Sequence, residues 1–269
     1  MSIDRNKKTI NIDKASSLEI VEMMNEEDKK VAFEVEKAKN IIAKAIDEIT
    51  EAMKNGGRMI YIGSGTSGKL AVIDASECPP TFGIDDNTVI ALISGGREAV
   101  SYWKEETEDN RELAVNDLRE IGFSNRDVLI AVSASGNTPY AIEGLNYANK
   151  IGAKTVAIFC NKNGKMKDIS DISILIDVGP EVIAGSTRLK AGTAQKMVLN
   201  MLSTGVMIKL GYVYSNLMIN VKPINKKLKE RIVDMINIVT NEDKDKIRKI
   251  LEKNGYNAKN AIEVLKKGE

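Results

Sequence analysis

Two six-residue loops carry the densest chemistry in the chain. Gly63-Ser64-Gly65-Thr66-Ser67-Gly68 and Ser133-Ala134-Ser135-Gly136-Asn137-Thr138 each follow a short apolar run and precede a segment with helical spacing. The first spells G-x-G-x-x-G, the dinucleotide fingerprint, which is weak on its own. A dinucleotide site also wants an acidic residue at the end of the second strand to hold a ribose. Here that strand ends Ile93-Ser94-Gly95-Gly96, without an acid. Both loops are rich in hydroxyls. A pyrophosphate needs mainly bare backbone, whereas a terminal phosphate has more oxygens to satisfy. Ser and Thr hydroxyls, together with helix N-terminal N–H groups, supply those donors. Ser64, Thr66, Ser67, Ser133, Ser135, Asn137 and Thr138 are therefore candidate contacts to a small phosphorylated ligand. The alternative is that these residues simply cap helices.

Two carboxylates could do acid–base work. Glu77 lies in Asp74-Ala75-Ser76-Glu77-Cys78-Pro79-Pro80-Thr81. Pro79 disfavours helix at Cys78, so a helix is expected to end there and project Glu77 off its face. A helix C-terminus raises a carboxyl pKa, which suits a general acid. The competing reading is a solvated helix end. Glu108 lies in Glu105-Glu106-Thr107-Glu108-Asp109, where crowded like charge would raise one pKa toward that of a base. Charge runs are also commonly wet surface, although Ala99, Val100 and Trp103 predict that part of this segment packs inward.

The elements that must hold these groups follow from periodicity. Ser16-Ser17-Leu18-Glu19 is a capping box opening a helix. Val31, Val35, Ala38, Ile42, Ile46, Ile49 and Met53 form one helical stripe, stopped at Asn55-Gly56-Gly57. Strands are expected at 59–63, 89–93, 128–133, 155–160 and 173–177. Helices are expected at 69–77, at 97–122 (one, or two broken ones) and at 139–151. A long helix capped by Ser186 should run to about Leu210. Strands alternating with helices predict an α/β domain whose parallel sheet is covered on both faces. After Pro223 the chain turns Lys-rich and strand-free, which predicts a small helical appendage over 223–269 behind a main domain over 1–222.

Composition removes whole classes of chemistry. The 269 residues include no histidine, so a Ser-His-Asp triad and His-ligated metals are impossible within the chain. Proton transfer near neutral pH falls to carboxylates, Lys, Tyr, Cys, substrate or water. With 39 Lys plus Arg against 38 Asp plus Glu, there is no electrostatic footprint for nucleic acid. Cys78 and Cys160 form no C-x-x-C and read as two buried, reduced thiols of a cytoplasmic protein. MSIDRNKKTINIDK lacks the apolar core of a signal peptide, and no apolar run reaches the ~18 residues of a membrane span.

Longer stretches carry a resemblance. GSGTSGK with DASECPPTFG, SASGNTPY (133–140), GPEVIAGSTRLKAGTAQK (179–196) and LNMLSTGVMIKLG (199–211) resemble the N-acetylmuramic acid 6-phosphate etherases. These belong to the sugar isomerase (SIS) superfamily, with glucokinase regulatory protein as a relative. The similarity covers roughly residues 16 to 235. It implies a three-layer αβα SIS domain with a five-stranded parallel sheet and N-terminal helices. It also implies a homodimer with sites at or near the subunit interface, and no cofactor. By motif, the family's two catalytic glutamates fall on Glu77 and Glu108, and its phosphate and sugar contacts fall on the two hydroxyl loops. Lys190 is a candidate partner for the substrate's lactyl carboxylate, with a salt bridge to a neighbouring helix as the alternative. The chain departs from the family at 105–109, where E-G-A-E-D is usual, and at Lys69, where Arg is frequent. Its tail after Gly211 is also shorter than usual.

The implied reaction is elimination then hydration. A base removes the C2 proton of the open-chain sugar, the C3 ether oxygen leaves as lactate with help from an acid, and water adds at C3. That needs one ionised and one protonated carboxyl group. The resemblance gives Glu108 the base role and Glu77 the acid role. Two other readings compete. A non-catalytic SIS regulator would use neither carboxylate, and an aldose–ketose phosphate isomerase would need only the base.

Overall fold

Five short apolar runs pair into a single parallel sheet. The strands are β1 (Met59–Gly63), β2 (Val89–Ile93), β3 (Val128–Ser133), β4 (Lys154–Phe159) and β5 (Ile172–Leu175), in the order β2-β1-β3-β4-β5. The computed structural model describes residues 4–102, 107–223 and 225–267. β1 and β3 are buried along their whole length, as expected of strands covered on both faces. β1, β2 and β3 have the predicted bounds, whereas β4 and β5 each begin one residue earlier than predicted and end one and two residues earlier, respectively.

Helices cover both faces. On one side lie α1 (Ser17–Lys37), α2 (Lys39–Lys54), α3 (Gly65–Phe82) and α7 (Lys190–Lys209). Their apolar faces join Met59, Tyr61, Ile130 and Ile158 of the sheet in one cluster. On the other side lie α5 (Arg111–Glu120) and α6 (Pro139–Lys150), packed over Ile60, Ile62, Leu129 and Ala157. These are the three layers.

α1 opens with the expected capping box. Ser16 Oγ accepts from Glu19 N, and Glu19 Oε2 accepts from Ser16 N at 2.7 Å. The apolar stripe from Val31 to Met53 is shared by two helices, because the chain breaks at Ala38 between α1 and α2. The segment over 97–122 is broken into α4 (Glu98–Ser101) and α5. Trp103, Glu105 and Glu106 lie outside the described residues.

Two helix boundaries depart from expectation. α3 starts at Gly65 and runs through Pro79 and Pro80 to Phe82. The prolines forgo hydrogen bonds to the carbonyls four residues back, but they sit in the last turn, where other partners close the helix. Gly83 is left-handed (φ +66°), and its N–H bonds Pro79 O at 2.9 Å. Asn220 Nδ2 donates to Phe82 O at 2.7 Å. α7 starts at Lys190 rather than at Ser186. Its cap comes from the buried Glu181 carboxylate, which accepts from the N–H groups of Lys190 (3.0 Å) and Ala191 (2.9 Å). A carboxylate there satisfies orphan donors and meets the positive end of the helix dipole.

Downstream, α8 (Lys226–Thr240), α9 (Lys244–Lys253) and α10 (Ala258–Lys267) pack on one another through Ile232, Ile236, Ile247, Leu251 and Ile262. That cluster also takes in Ile219 and Val221. Among the described residues, no helix is long and apolar enough to cross a membrane.

Candidate functional site

In the order β2-β1-β3-β4-β5, the chain leaves β1 toward one edge and returns to build β3 on its other side. The carboxyl ends of β1 and β3 therefore flank the point where strand order reverses, and open parallel sheets bind ligands in that crevice. Both hydroxyl loops stand there, one after each strand. They floor a cavity of about 320 Å³ lined by Ser64, Thr66, Ser67, Ser133, Ser135 and Thr138.

The first loop works through close approach. Gly63 ends β1 and Gly68 lies in the first turn of α3. A Cβ on Gly68 would stand 2.6 Å from Ile93 Cγ1 and 2.7 Å from Gly63 O. Only glycine lets the helix N-terminus sit this tightly on the strand end. Gly65 turns the loop with φ +52°. Ser64 Oγ is buried in the cavity wall without a hydrogen-bond partner among the described residues. A buried hydroxyl at a helix N-terminus that lacks a protein partner is a ready donor to an anion. Ser67 Oγ is bonded to Gln195 Oε1 of α7 at 3.0 Å.

The second loop is internally wired. Ser133 Oγ lies 2.8 Å from Thr138 Oγ1 and 3.3 Å from Ser135 Oγ, and it accepts from Gly136 N at 3.1 Å. Thr138 Oγ1 in turn donates to Glu108 Oε1 at 3.0 Å. Tyr140 N bonds Glu108 O at 3.1 Å, so backbone and side chain of Glu108 are both fixed to the start of α6. Glu108 is half-buried and lines the cavity. Thr138 thus touches the candidate base directly as well as the ligand space.

Three predicted site residues lie elsewhere. Asn137 does not line the cavity. Its amide bonds Ser135 O and accepts from Lys165 N, which pins the loop to the neighbouring turn. Lys190 takes the salt-bridge alternative: its ammonium lies 2.6 Å from Glu27 Oε2 of α1, with both side chains buried. Burial pushes the Glu27 carboxyl up, but hydrogen bonds from Lys190, Lys30 and Asn6 outweigh it and hold the pKa at about 2. Glu77 is exposed on α3, five residues before the helix ends rather than at its last turn. It stands twelve residues beyond Gly65, or ~18 Å along the axis at ~1.5 Å per residue. One chain therefore brings Glu108 and the two loops together and leaves Glu77 outside.

The cavity also contains groups outside the predicted set of contacts. Lys69, half-buried one turn into α3, is the cation among its described lining residues. Ser94 follows β2 and accepts from Thr107 Oγ1 at 3.2 Å. Tyr102, exposed, and Thr187 complete the rim. Strand position was the available signal for Ser94, since it follows the strand paired with β1. Thr187 lies within the 179–196 stretch that carries the family resemblance, but nothing in its type or spacing marks it as a contact. Among the described residues, no three Cys, Asp or Glu converge in a way that could hold a metal. Cys78 is buried and Cys160 half-buried. Burial, then nearby carboxylates, pushes each thiol up to about 12, so both are protonated at neutral pH.

A parallel sheet in this order, with ligand loops at the reversal point, is a doubly wound α/β arrangement, and family models identify it as a SIS-type domain. Residues 41–149 match the glucokinase regulatory protein N-terminal SIS domain, and residues 122–205 match the SIS domain. The fold is similar to that of a phosphoheptose isomerase from Francisella tularensis (TM-score 0.55, 14% identity, covering 72% of this chain and 100% of that one). N-acetylmuramic acid 6-phosphate etherase of Clostridium beijerinckii is 54% identical over 258 residues, 96% of this chain and 85% of the relative. The protein of that name in Clostridium botulinum (strain Loch Maree) is 51% identical over the same span. The chain belongs to the N-acetylmuramic acid 6-phosphate etherase family.

Proposed function

We propose that this protein cleaves the lactyl ether of N-acetylmuramic acid 6-phosphate, yielding N-acetylglucosamine 6-phosphate and D-lactate, as a carbon–oxygen lyase of cell-wall sugar recycling. The observation that carries the reading is the Glu108 carboxylate, bonded through Thr138 to a hydroxyl loop that suits a sugar phosphate. Glu108 removes the C2 proton, which the C1 aldehyde acidifies. The C3–O bond breaks, and the departing lactyl oxygen takes a proton from Glu77. Water then adds to C3 of the unsaturated aldehyde, giving its proton to Glu77, and Glu108 returns a proton to C2. Atoms balance with no external oxidant. Ser64, Ser67 and the second loop hold the phosphate and sugar. With Lys190 committed to Glu27, Lys69 is the cation assigned to the substrate's anionic groups.

Glu77 can serve this site only from a second copy of the chain, so the working unit is a homodimer. The exposed face of α3 supports that reading. Ile73, 55% exposed, stands one turn before Glu77 at the middle of a helix spanning 65–82. A two-fold axis beside Ile73 would pair α3 with its copy in opposite directions. Such a pairing would carry Glu77 of one copy toward the start of α3 in the other, where the first hydroxyl loop stands.

The test is lactate release from N-acetylmuramic acid 6-phosphate. Wild type should release it, and Glu108→Gln and Glu77→Gln should each lower the rate by about 10²–10⁴. C2 proton exchange in deuterated water should persist in Glu77→Gln and vanish in Glu108→Gln. A wild-type protein that binds the sugar phosphate and releases no lactate would instead be a regulator.

A further inference from the structure

Gln195 is a polar side chain sealed in the core behind the first hydroxyl loop. It is 1% exposed, on the buried face of α7, and its amide oxygen lies 3.0 Å from Ser67 Oγ. In that arrangement Ser67 gives its proton to Gln195. The amide nitrogen Nε2 is left buried without a partner among the described residues. A buried amide with two unused N–H donors is costly. Turning the amide end for end about its last side-chain torsion reverses the roles. Nε2–H then donates to Ser67 Oγ, and the Ser67 proton is free to point into the cavity. Ser64 Oγ, one helical turn away, already lacks a protein acceptor.

We infer that Gln195 is a positioning residue that, on ligand binding, turns its amide to donate to Ser67 and so aims the Ser67 hydroxyl at a phosphate oxygen. The anion satisfies Ser67, and Ser67 accepts from one amide N–H, while the amide carbonyl gives up its bond to Ser67; the charge-assisted bond to the anion is what favours the exchange. Loop and helix α7 are then coupled through one relayed hydrogen bond, which strengthens when its far end is an anion. Gln195 touches no reacting atom, so its effect belongs to binding. The inference rests on the etherase reading only for the identity of the sugar phosphate.

Gln195→Met keeps the volume and removes the donor. Two readouts apply: calorimetric binding of N-acetylglucosamine 6-phosphate, and lactate-release kinetics. Kd and KM should rise about 3- to 10-fold while kcat changes by less than about twofold, the pattern of lost uniform binding. In a Ser67→Ala background, the same Gln195→Met change should add nothing, since its only route to the ligand is gone. An unchanged Kd in Gln195→Met, or an equal loss with and without Ser67, overturns the inference. A merely structural role would lower Tm in both backgrounds and leave Kd alone. Wild type that binds the sugar phosphate without releasing lactate would sink the etherase reading and leave the binding comparison intact.

Discussion

At the scale of single residues, the chain uses its ionisable groups in two ways. Glu108 is half-buried and held by one hydroxyl and one backbone bond. The Glu27–Lys190 pair is the opposite case, fully buried and bound to structure. The folded-state pKa of Glu27, about 2, lies below its ordinary 4.5. Its stabilising contribution is therefore full above about pH 4.5 and is lost as pH falls through 2. Glu27→Gln should destabilise the protein at pH 7 by about 3–5 kcal/mol, because it strands a buried ammonium. The gap between variant and wild type should then shrink between pH 4.5 and 2, as read by denaturant melts across that range. Lys190 also shows where residue-level reading stops. Its motif context suits substrate binding and helix bridging equally, and only its contact with Glu27, 163 positions away, separates them.

At the scale of elements, local signals served well where the partners are local. The capping box of α1, the five strands and the hydroxyl loops are all written in neighbouring residues. The boundaries of α3 and α7 are not. Asn220 helps close α3 from 138 positions away, and Glu181 caps α7 from an intervening loop. A rule that ends helices at proline cannot see either. The first loop illustrates packing that a motif only hints at, since Gly68 is pressed against both Ile93 and the Gly63 carbonyl. Gly68→Ala should cost about 1–3 kcal/mol, because the adjacent strand end cannot yield freely. It should also lift the start of α3 off β1. A lowered Tm together with a raised KM would show both effects, and an unchanged KM would separate the packing from the site.

At the scale of the whole molecule, the proposed catalytic pair is incomplete within a single chain. Motif spacing named both glutamates but not the ~18 Å that α3 puts between Glu77 and its own loop. The proposed dimer supplies the missing group in trans, and mixing tests it. Glu77→Gln and Glu108→Gln, each inactive alone, should regain activity when dissociated and reassembled together. About half of the dimers would then be mixed, each with one intact site of two, which returns roughly a quarter of wild-type activity. A mixture as inactive as its components would place both glutamates in one subunit's site.

The outward-facing Glu77 has a further consequence for a cell that makes little of this protein. On the proposed dimeric reading, activity below the concentration at which chains pair would scale with the square of the amount present, since each turnover would need two chains to meet. Halving expression in that range would quarter the output. The position of one glutamate on one helix would then set a gene-dosage threshold for the reaction.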